Sequence, residues 1–248
     1  MTSNDSEFVK HLPCTTCSSS DGMALYSDGH TFCFVCNTTT RGTNNNMVAT
    51  SNTRGDLLQG EAISLPKRKL TLETCTKWDY KVAQVNNEPV QVATYYDKKK
   101  RPVFQKLRYK DKQFKTLGDI NQATLYGQNL WNGGGKILCV CEGEIDTCSL
   151  SQLFNHKYAV VGIPNGVNGA VKSLKKQLEF IESYESVIFF FDQDDAGQEC
   201  AKKCAELLSV GKAKIASFDL KDVNEMLVHG LGADVIKALW EAKTYRPD

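Results

Sequence analysis

The chain has 248 residues, 41% hydrophobic and 24% charged, with a formal net charge of +1 at pH 7. That length holds one large domain or two smaller ones, and the near-neutral balance excludes a globally basic protein, so any polyanion footprint must be local. The opening MTSNDSEFVKHLPC has no apolar core of signal-peptide length and no run approaches the roughly 18 apolar residues of a membrane span, so a soluble, cytoplasmic protein with no membrane partner is expected.

Ten cysteines are many for a reducing compartment, but four of them fall in the first 36 residues as two C-x-x-C pairs, Cys14/Cys17 and Cys33/Cys36. This is the two-knuckle spacing of a tetrahedral structural zinc ribbon, with one Zn2+ held by four thiolates. A unit of about 40 residues is too small to be stable on its own core, so the metal supplies folding energy. His30 lies close to Cys33 and reads either as a base-contacting residue on a rigid platform or as a plain hairpin histidine. The ribbon is expected over residues 1–40.

Residues 37–62 are rich in Asn, Thr and Gly and read as a flexible linker, with 41–62 as its body. LTLETCTKWDY predicts a short helix with Thr71 as N-cap. YKVAQV, VQVATYY and PVFQKLRY, separated by turns at NNEP and DKKKR, predict an antiparallel meander. Residues 98–115 carry nine Lys or Arg and one Asp, a local basic ribbon. Lys106, Arg108 and Lys110 alternate, so on a strand they share a face, and Phe104, Tyr109 and Phe114 interleave as stacking surfaces. Lys98 to Lys100 read as a solvated hairpin edge. Lys106, Lys112 and Lys115, with Arg108, read as contacts to nucleotide and template phosphates. WNGGGKI is not a Walker A loop, because Ile follows Lys136 and the upstream Gly is misplaced.

From residue 136 short apolar strands alternate with helices. KILCVC, KYAVVGI, SVIFFF and KAKIASF are the strands. EIDTCSLSQLFN, AVKSLKKQLEFIESY and GQECAKKCAELLS are the helices, and PNGVNG is a loop. The pattern predicts an α/β fold, a mostly parallel sheet flanked by helices. The remaining cysteines fit apolar or helical positions as core filling, and His11, His156 and His229 show no partner. Glu142 follows KILCVC directly, with Asp146 one helical turn on. Asp192 follows VIFFF directly, with Asp194 two residues beyond. Asp222 follows the next strand. Ligands bind at the carboxyl ends of parallel strands, so these acids should share one edge, and hard oxygen donors without His or Cys suit Mg2+ or Mn2+. Asp195 reads as a helix cap or a solvated charge.

CEGEIDTCSL and FFDQDDAG resemble the two acidic motifs of the Toprim domain. Together with the Cys pairs, the linker, FQKLRYKDKQFKT, LWNGGGK and KDVNE, in matching order over nearly the whole chain, they resemble the primase half of bacteriophage primase–helicases of the T-seven type, distantly similar to bacterial DnaG. The resemblance implies a DNA primase that makes short RNA primers on single-stranded DNA from ribonucleoside triphosphates. The zinc ribbon would read the template. Glu142 would be the Toprim glutamate, Asp192 and Asp194 the metal pair, and Asp146 and Asp222 supporting acids. Asn224 stands where DnaG-type proteins have a second Asp. It also implies a helicase and a replisome DNA polymerase as partners. Residues 63–135 would be a basic subdomain and 136–248 the Toprim subdomain. Two other readings use the same residues: a Toprim nuclease or topoisomerase, and an inactive zinc-ribbon single-strand binder.

Overall fold

The chain opens on a sheet of very short strands. The computed structural model describes residues 8–14, 16–17, 19–27, 30–40, 57–110 and 113–247, which belong to two compact units, Met1–Thr53 and Arg54–Asp248. In the first unit β1 (Phe8–Leu12), β2 (Met23–Tyr26), β3 (Thr31–Cys33) and β4 (Thr39–Thr40) pair in sequence order, all antiparallel. Its core cluster is Cys14, Met23 and Cys33, with Leu12, Cys17 and Cys36 packed around them. Four of those six residues are the paired cysteines, so apolar burial alone holds little here.

In the second unit α1 (Leu72–Lys77) starts at the expected cap, where Thr71 Oγ1 accepts from the Thr74 amide at 3.2 Å. The meander follows as β5 (Tyr80–Val85), β6 (Glu88–Tyr96), β7 (Pro102–Arg108) and β8 (Phe114–Gly118), in sequence order. Asn86 and Asn87 both take positive φ between β5 and β6, the pair of left-handed residues that a two-residue hairpin loop needs. Asp97 closes the β6–β7 turn by accepting from the amides of Lys99 and Arg101 and from the Arg101 guanidinium.

Most of the expected linker, residues 41–56, lies outside the described residues. Its last part differs from a free tether. The Leu58 amide donates to Gln105 Oε1 at 2.8 Å, Glu61 bridges to Val82, and Leu58 packs on Ala83, Val90, Val92 and Leu107. The polar composition of the stretch hid this one anchoring leucine.

The α/β part comprises β9 (Gly135–Cys141), α2 (Glu144–Leu153), β10 (Ala159–Gly162), α3 (Gly166–Lys176), α4 (Leu178–Glu182), β11 (Tyr184–Phe190), α5 (Asp195–Ala205), β12 (Ala213–Ile215), α6 (Val223–Val228), α7 (Gly232–Glu241) and β13 (Lys243–Thr244). The sheet order is β10-β9-β11-β12-β13, parallel except for β13 at the edge. Strand periodicity sorts the side chains into two cores. Cys139, Cys141, Val160, Ile188 and Phe190 face one way, in a cluster shared with α2, α6, α7 and the meander residues Tyr80, Tyr95 and Phe104. Leu138, Val140, Val161, Val187 and Phe189 face the other way, onto α3, α4 and α5. The fold class is the expected one, an α/β body preceded by an antiparallel Cys-rich ribbon.

Three local expectations change. PNGVNG is not wholly loop, because α3 already starts at Gly166. The single amphipathic helix read over AVKSLKKQLEFIESY breaks at Gln177, which leaves helical geometry at φ −114°. Its buried side-chain oxygen is held by Gln128 Nε2 at 3.2 Å, which fixes the break. Two of the histidines have partners after all: the His156 ring nitrogens lie 2.8 Å from Ser151 Oγ and 3.3 Å from Thr74 Oγ1, stapling α1 to α2, and His229 Nδ1 lies 2.9 Å from Glu225 O.

Candidate metal centres and catalytic cleft

The first site is built by two tight knuckles. The Cys14 amide donates to Ser19 O, the Cys33 amide donates to Thr38 O, and Asn37 turns the second knuckle at φ 57°. These turns bring Cys14, Cys17, Cys33 and Cys36 together, with all four sulfurs within 4.8 Å of one another. The Cys14–Cys36 and Cys17–Cys33 sulfur pairs stand 3.6 and 3.7 Å apart. A tetrahedron with metal–sulfur bonds of about 2.3 Å has edges of about 3.8 Å, so the thiols fit a closed tetrahedral site. Thr38 Oγ1 lies 3.1 Å from Cys36 Sγ and, as donor, lowers that thiol's pKa, as a ligating thiolate requires. His30 stacks on Tyr26, rings parallel at 4.2 Å, rather than entering the ligand set.

The second site lies at the carboxyl edge of the parallel sheet. Register aligns Gly162, Cys141 and Phe190 across β10, β9 and β11, so the chain leaves all three strands at one level. Glu142 is the next residue after β9, and Asp192 is the second after β11. Asp194 caps α5 by accepting from the Gly197 amide at 2.9 Å. Of the two readings of Asp195 the cap falls to Asp194, and Asp195 is the first helical residue with its charge exposed to solvent. Asp222 caps α6 by accepting from the Glu225 amide at 2.7 Å. Asp146, in the first turn of α2, accepts from the Asn224 amide at 3.0 Å.

The electrostatics show mutual strain. Burial, then the charge of Asp192, pushes the Glu142 carboxyl up to about 7. Burial, then Asp222, pushes Asp146 up to about 8. Asp192 is raised by burial and by Asp222. Asp194 is lowered, first by the Gly197 amide. Glu142 Oε2 is buried with no hydrogen-bond partner. One cation offsets part of this: Lys221 Nζ sits 3.2 Å from Asp194 Oδ2 and 3.7 Å from Asp192 Oδ2. The five acids thus share one cleft, but less tightly than the sulfurs do. Among the described residues, the four cysteines are the sole group of three or more His, Cys, Asp or Glu with ligand atoms within 4.8 Å of one another.

Several positioning residues were not legible in the sequence. Gln193 ties the acidic loop to the next one, with its amide on Lys221 O and its side chain on Phe191 O and the Phe218 amide. The Gly of DQDDAG is required because a Cβ on Gly197 would stand 2.3 Å from Asp192 O. Asn224 does not join the acids; its amide side chain holds Arg68 and Ser149. Glu144, overlooked between Glu142 and Asp146, is buried and bonded to Tyr95 Oη and to Lys106 Nζ at 3.0 Å. The repeated acid in E-G-E-x-D was its only signal.

The basic ribbon also differs from expectation. Lys106 bonds Glu144 and, at 3.2 Å, Pro164 O, so it fastens the meander to the α/β sheet instead of standing free for phosphate. Arg108 shares its face, pairs across from Phe114 and lies over that ring. Lys110 lies beyond the end of β7. Lys115 pairs with Leu107 and therefore faces the opposite side of the sheet, over Tyr109. Lys112 lies outside the described residues.

A family model of the bacteriophage T7 DNA helicase/primase N-terminal α+β fold matches residues 60–118, and a Toprim-like family model matches residues 139–227. The chain is similar to the crystal structure of the primase fragment of the bacteriophage T7 primase–helicase protein. Identity is 38% and the TM-score 0.71, covering 94% of this chain and 100% of that one. The chain belongs to the T7-type phage primase family. Another member, a DNA helicase/primase of Enterobacteria phage T3, is 36% identical over 260 residues, covering 99% of this chain and 46% of that protein. The chain spans about half the length of that curated relative. The Aquifex aeolicus primase zinc-binding and RNA polymerase domains share the fold at 13% identity and a TM-score of 0.55, over 99% of this chain and 81% of that one.

Two consequences follow for this T7-type body. Glu142 moves from an ordinary 4.5 to about 7 on folding. Its neutral form therefore contributes stability that is complete below pH about 4.5 and lost as pH rises through 7. The melting temperature of Glu142→Gln should accordingly gain on wild type between pH 5 and 8; parallel curves would contradict the assignment. Removing one partner of the Lys106–Glu144 pair strands a buried charge. Chemical denaturation should show Lys106→Met losing about 3 kcal/mol, with Lys106→Met/Glu144→Gln recovering much of it.

Proposed function

We propose that this chain is a DNA primase that builds short RNA primers on single-stranded DNA from ribonucleoside triphosphates. The observation that carries the reading is the crowd of acids at the sheet edge: Glu142 with an orphaned buried oxygen, and Asp192 and Asp194 bridged by an ammonium group. Such a cleft needs cations. The donors are hard oxygens, and magnesium binds through one or two carboxylates while keeping several waters, so the wider spacing of these acids suits Mg2+ or Mn2+. Glu142, Asp192 and Asp194 would hold one or two such ions, with Asp146 and Asp222 behind them. Bound there, the metal supplies charge stabilisation at the attacking and leaving oxygens of nucleotidyl transfer.

The chain's own residues do the rest. A primer 3′-hydroxyl attacks the α-phosphate of the incoming ribonucleotide, and pyrophosphate leaves. Glu142, whose carboxyl burial and Asp192 push up to about 7 without metal, would take or return the hydroxyl proton. Lys221, exposed on its outer side, is free to turn from the aspartates to the triphosphate. Arg108, on the face of β7 that Lys106 shares, would offer a phosphate contact, and Lys115 on the other face and Lys112 in the β7–β8 connection are proposed as further ones. Cys14, Cys17, Cys33 and Cys36 would hold one structural Zn2+, and the ribbon bearing His30 reads the template. A helicase module is the proposed partner, because the phage T3 relative is named for both activities, and a replisome DNA polymerase would take over the primer. In the phage host such a protein works in the cytoplasm.

The test is synthesis from labelled ribonucleotides on an oligonucleotide template with magnesium. Wild type should yield short RNA, and Asp192→Ala should lose at least 100-fold, on the order of removing a key electrostatic group. Equal yields would remove the metal assignment, while plasmid cleavage or relaxation without RNA would favour a Toprim nuclease or topoisomerase. Elemental analysis should find one zinc per chain, absent in Cys33→Ser, with the proton NMR signals of residues 8–40 collapsing while those of 57–247 persist.

A further inference from the structure

A second cationic feature lies away from the acidic cleft, on α3. This helix begins at Gly166, where a Cβ would sit 3.8 Å from Glu142 Oε1. From there it runs eleven residues, about 16 Å, away from the cleft. From Thr147 to Leu178 the chain has no Asp or Glu, yet it has Lys157, Lys172, Lys175 and Lys176. Lys172, Lys175 and Lys176 are exposed, and with Asn168 and Val171 they line a shallow groove of about 590 Å3. Lys176 also lines a second, more enclosed cavity of about 400 Å3, so the two depressions meet at that residue.

The second cavity combines three kinds of group. Lys98 and Lys100, from the β6–β7 turn, join Lys176 as cations. Trp131 and Phe180 contribute aromatic surface, and Asn129 and Asn132 contribute amide edges. Of its two carboxylates, Asp97 is neutralised by Arg101 at 2.7 Å, which leaves Glu179 against three lysines. Cationic grooves with aromatic platforms and amide edges suit a phosphodiester strand with unstacked bases. An acidic peptide would use the lysines but leave the rings and amides idle.

We propose that the α3 groove and the cavity beyond it form a track for single-stranded nucleic acid continuing from the acidic cleft. Lys172, Lys175 and Lys176 follow the phosphates, and the cavity rimmed by Lys98 and Lys100 takes a base at the far end. At about 3.4 Å per nucleotide in a stacked strand, α3 spans roughly five. The track rests on the primase reading for the identity of its strand, and it deepens that reading by assigning where the strand goes.

The test uses the whole chain and fluorescence anisotropy, with a minimal oligodeoxynucleotide and the same oligonucleotide extended by eight residues at its 3′ or its 5′ end. Wild type should bind one of the extended forms more tightly than the minimal one. Lys172→Gln/Lys176→Gln should lose that advantage, with a slope of log affinity against log salt shallower by about 1.4, two contacts at about 0.7 each on a single strand. Phe180→Ala should lose the advantage without changing the slope, separating stacking from charge. Unchanged slope and unchanged length dependence in the lysine variant would overturn the track. So would a poly-glutamate peptide that binds wild type and not that variant while template binding stays the same. Primer synthesis by wild type, run in parallel, reports separately: RNA made with no slope change sinks the track alone, and a slope change with no RNA sinks the primase reading alone.

Discussion

Negative charge gathered at the carboxyl edge of one parallel sheet governs much of this molecule. Strands β9 and β11 each end in four buried apolar or cysteine residues, and the chain leaves each of them into an acid within two residues. Parallel pairing at common register then brings Glu142 and Asp192 out at the same edge, one residue out of step. Desolvation and mutual repulsion raise three of the five carboxyls. Two others are helix caps, where backbone amides accept their charge cheaply. Lys221 stands between the pair nearest the solvent. The loops around this edge, held by Gln193 and by the absence of a side chain at Gly197, keep the acids from relaxing apart.

The two candidate metal centres imply opposite relations between ion and fold. The cysteine cluster is the core of its own unit, with few other buried side chains around it, so a metal bound there would couple its binding to folding. The acidic cleft sits on a sheet with extensive apolar packing on both faces. That packing holds the carboxylates in place whether or not they are neutralised, which is how a fold stores electrostatic strain at a working site.

Cationic residues divide in the same way between structure and function. Lys106 is consumed by Glu144 and Pro164 O as an internal fastening, whereas the α3 lysines stand in an acid-free stretch along open grooves. Charge count along the chain ranks 98–115 above 172–176. Burial reverses part of that ranking, because a lysine near a desolvated glutamate is no longer available to a phosphate.

The sequence by itself determined what depends on neighbours in the chain. Two C-x-x-C turns, the Thr71 cap, the meander and the alternation of apolar strands with helices are all set by local spacing and periodicity. The resemblance carried by CEGEIDTCSL and FFDQDDAG pointed to the family. Only the tertiary structure decided what depends on distance. Glu144 is the buried partner of Tyr95 and Lys106, Lys115 lies on the far face from Arg108, Leu58 anchors what composition called linker, and Gln177 breaks a helix whose periodicity ran on. Each of these turns on a contact between residues far apart in sequence, and free energies of burial and ion pairing are fixed by what surrounds a side chain, not by what precedes it.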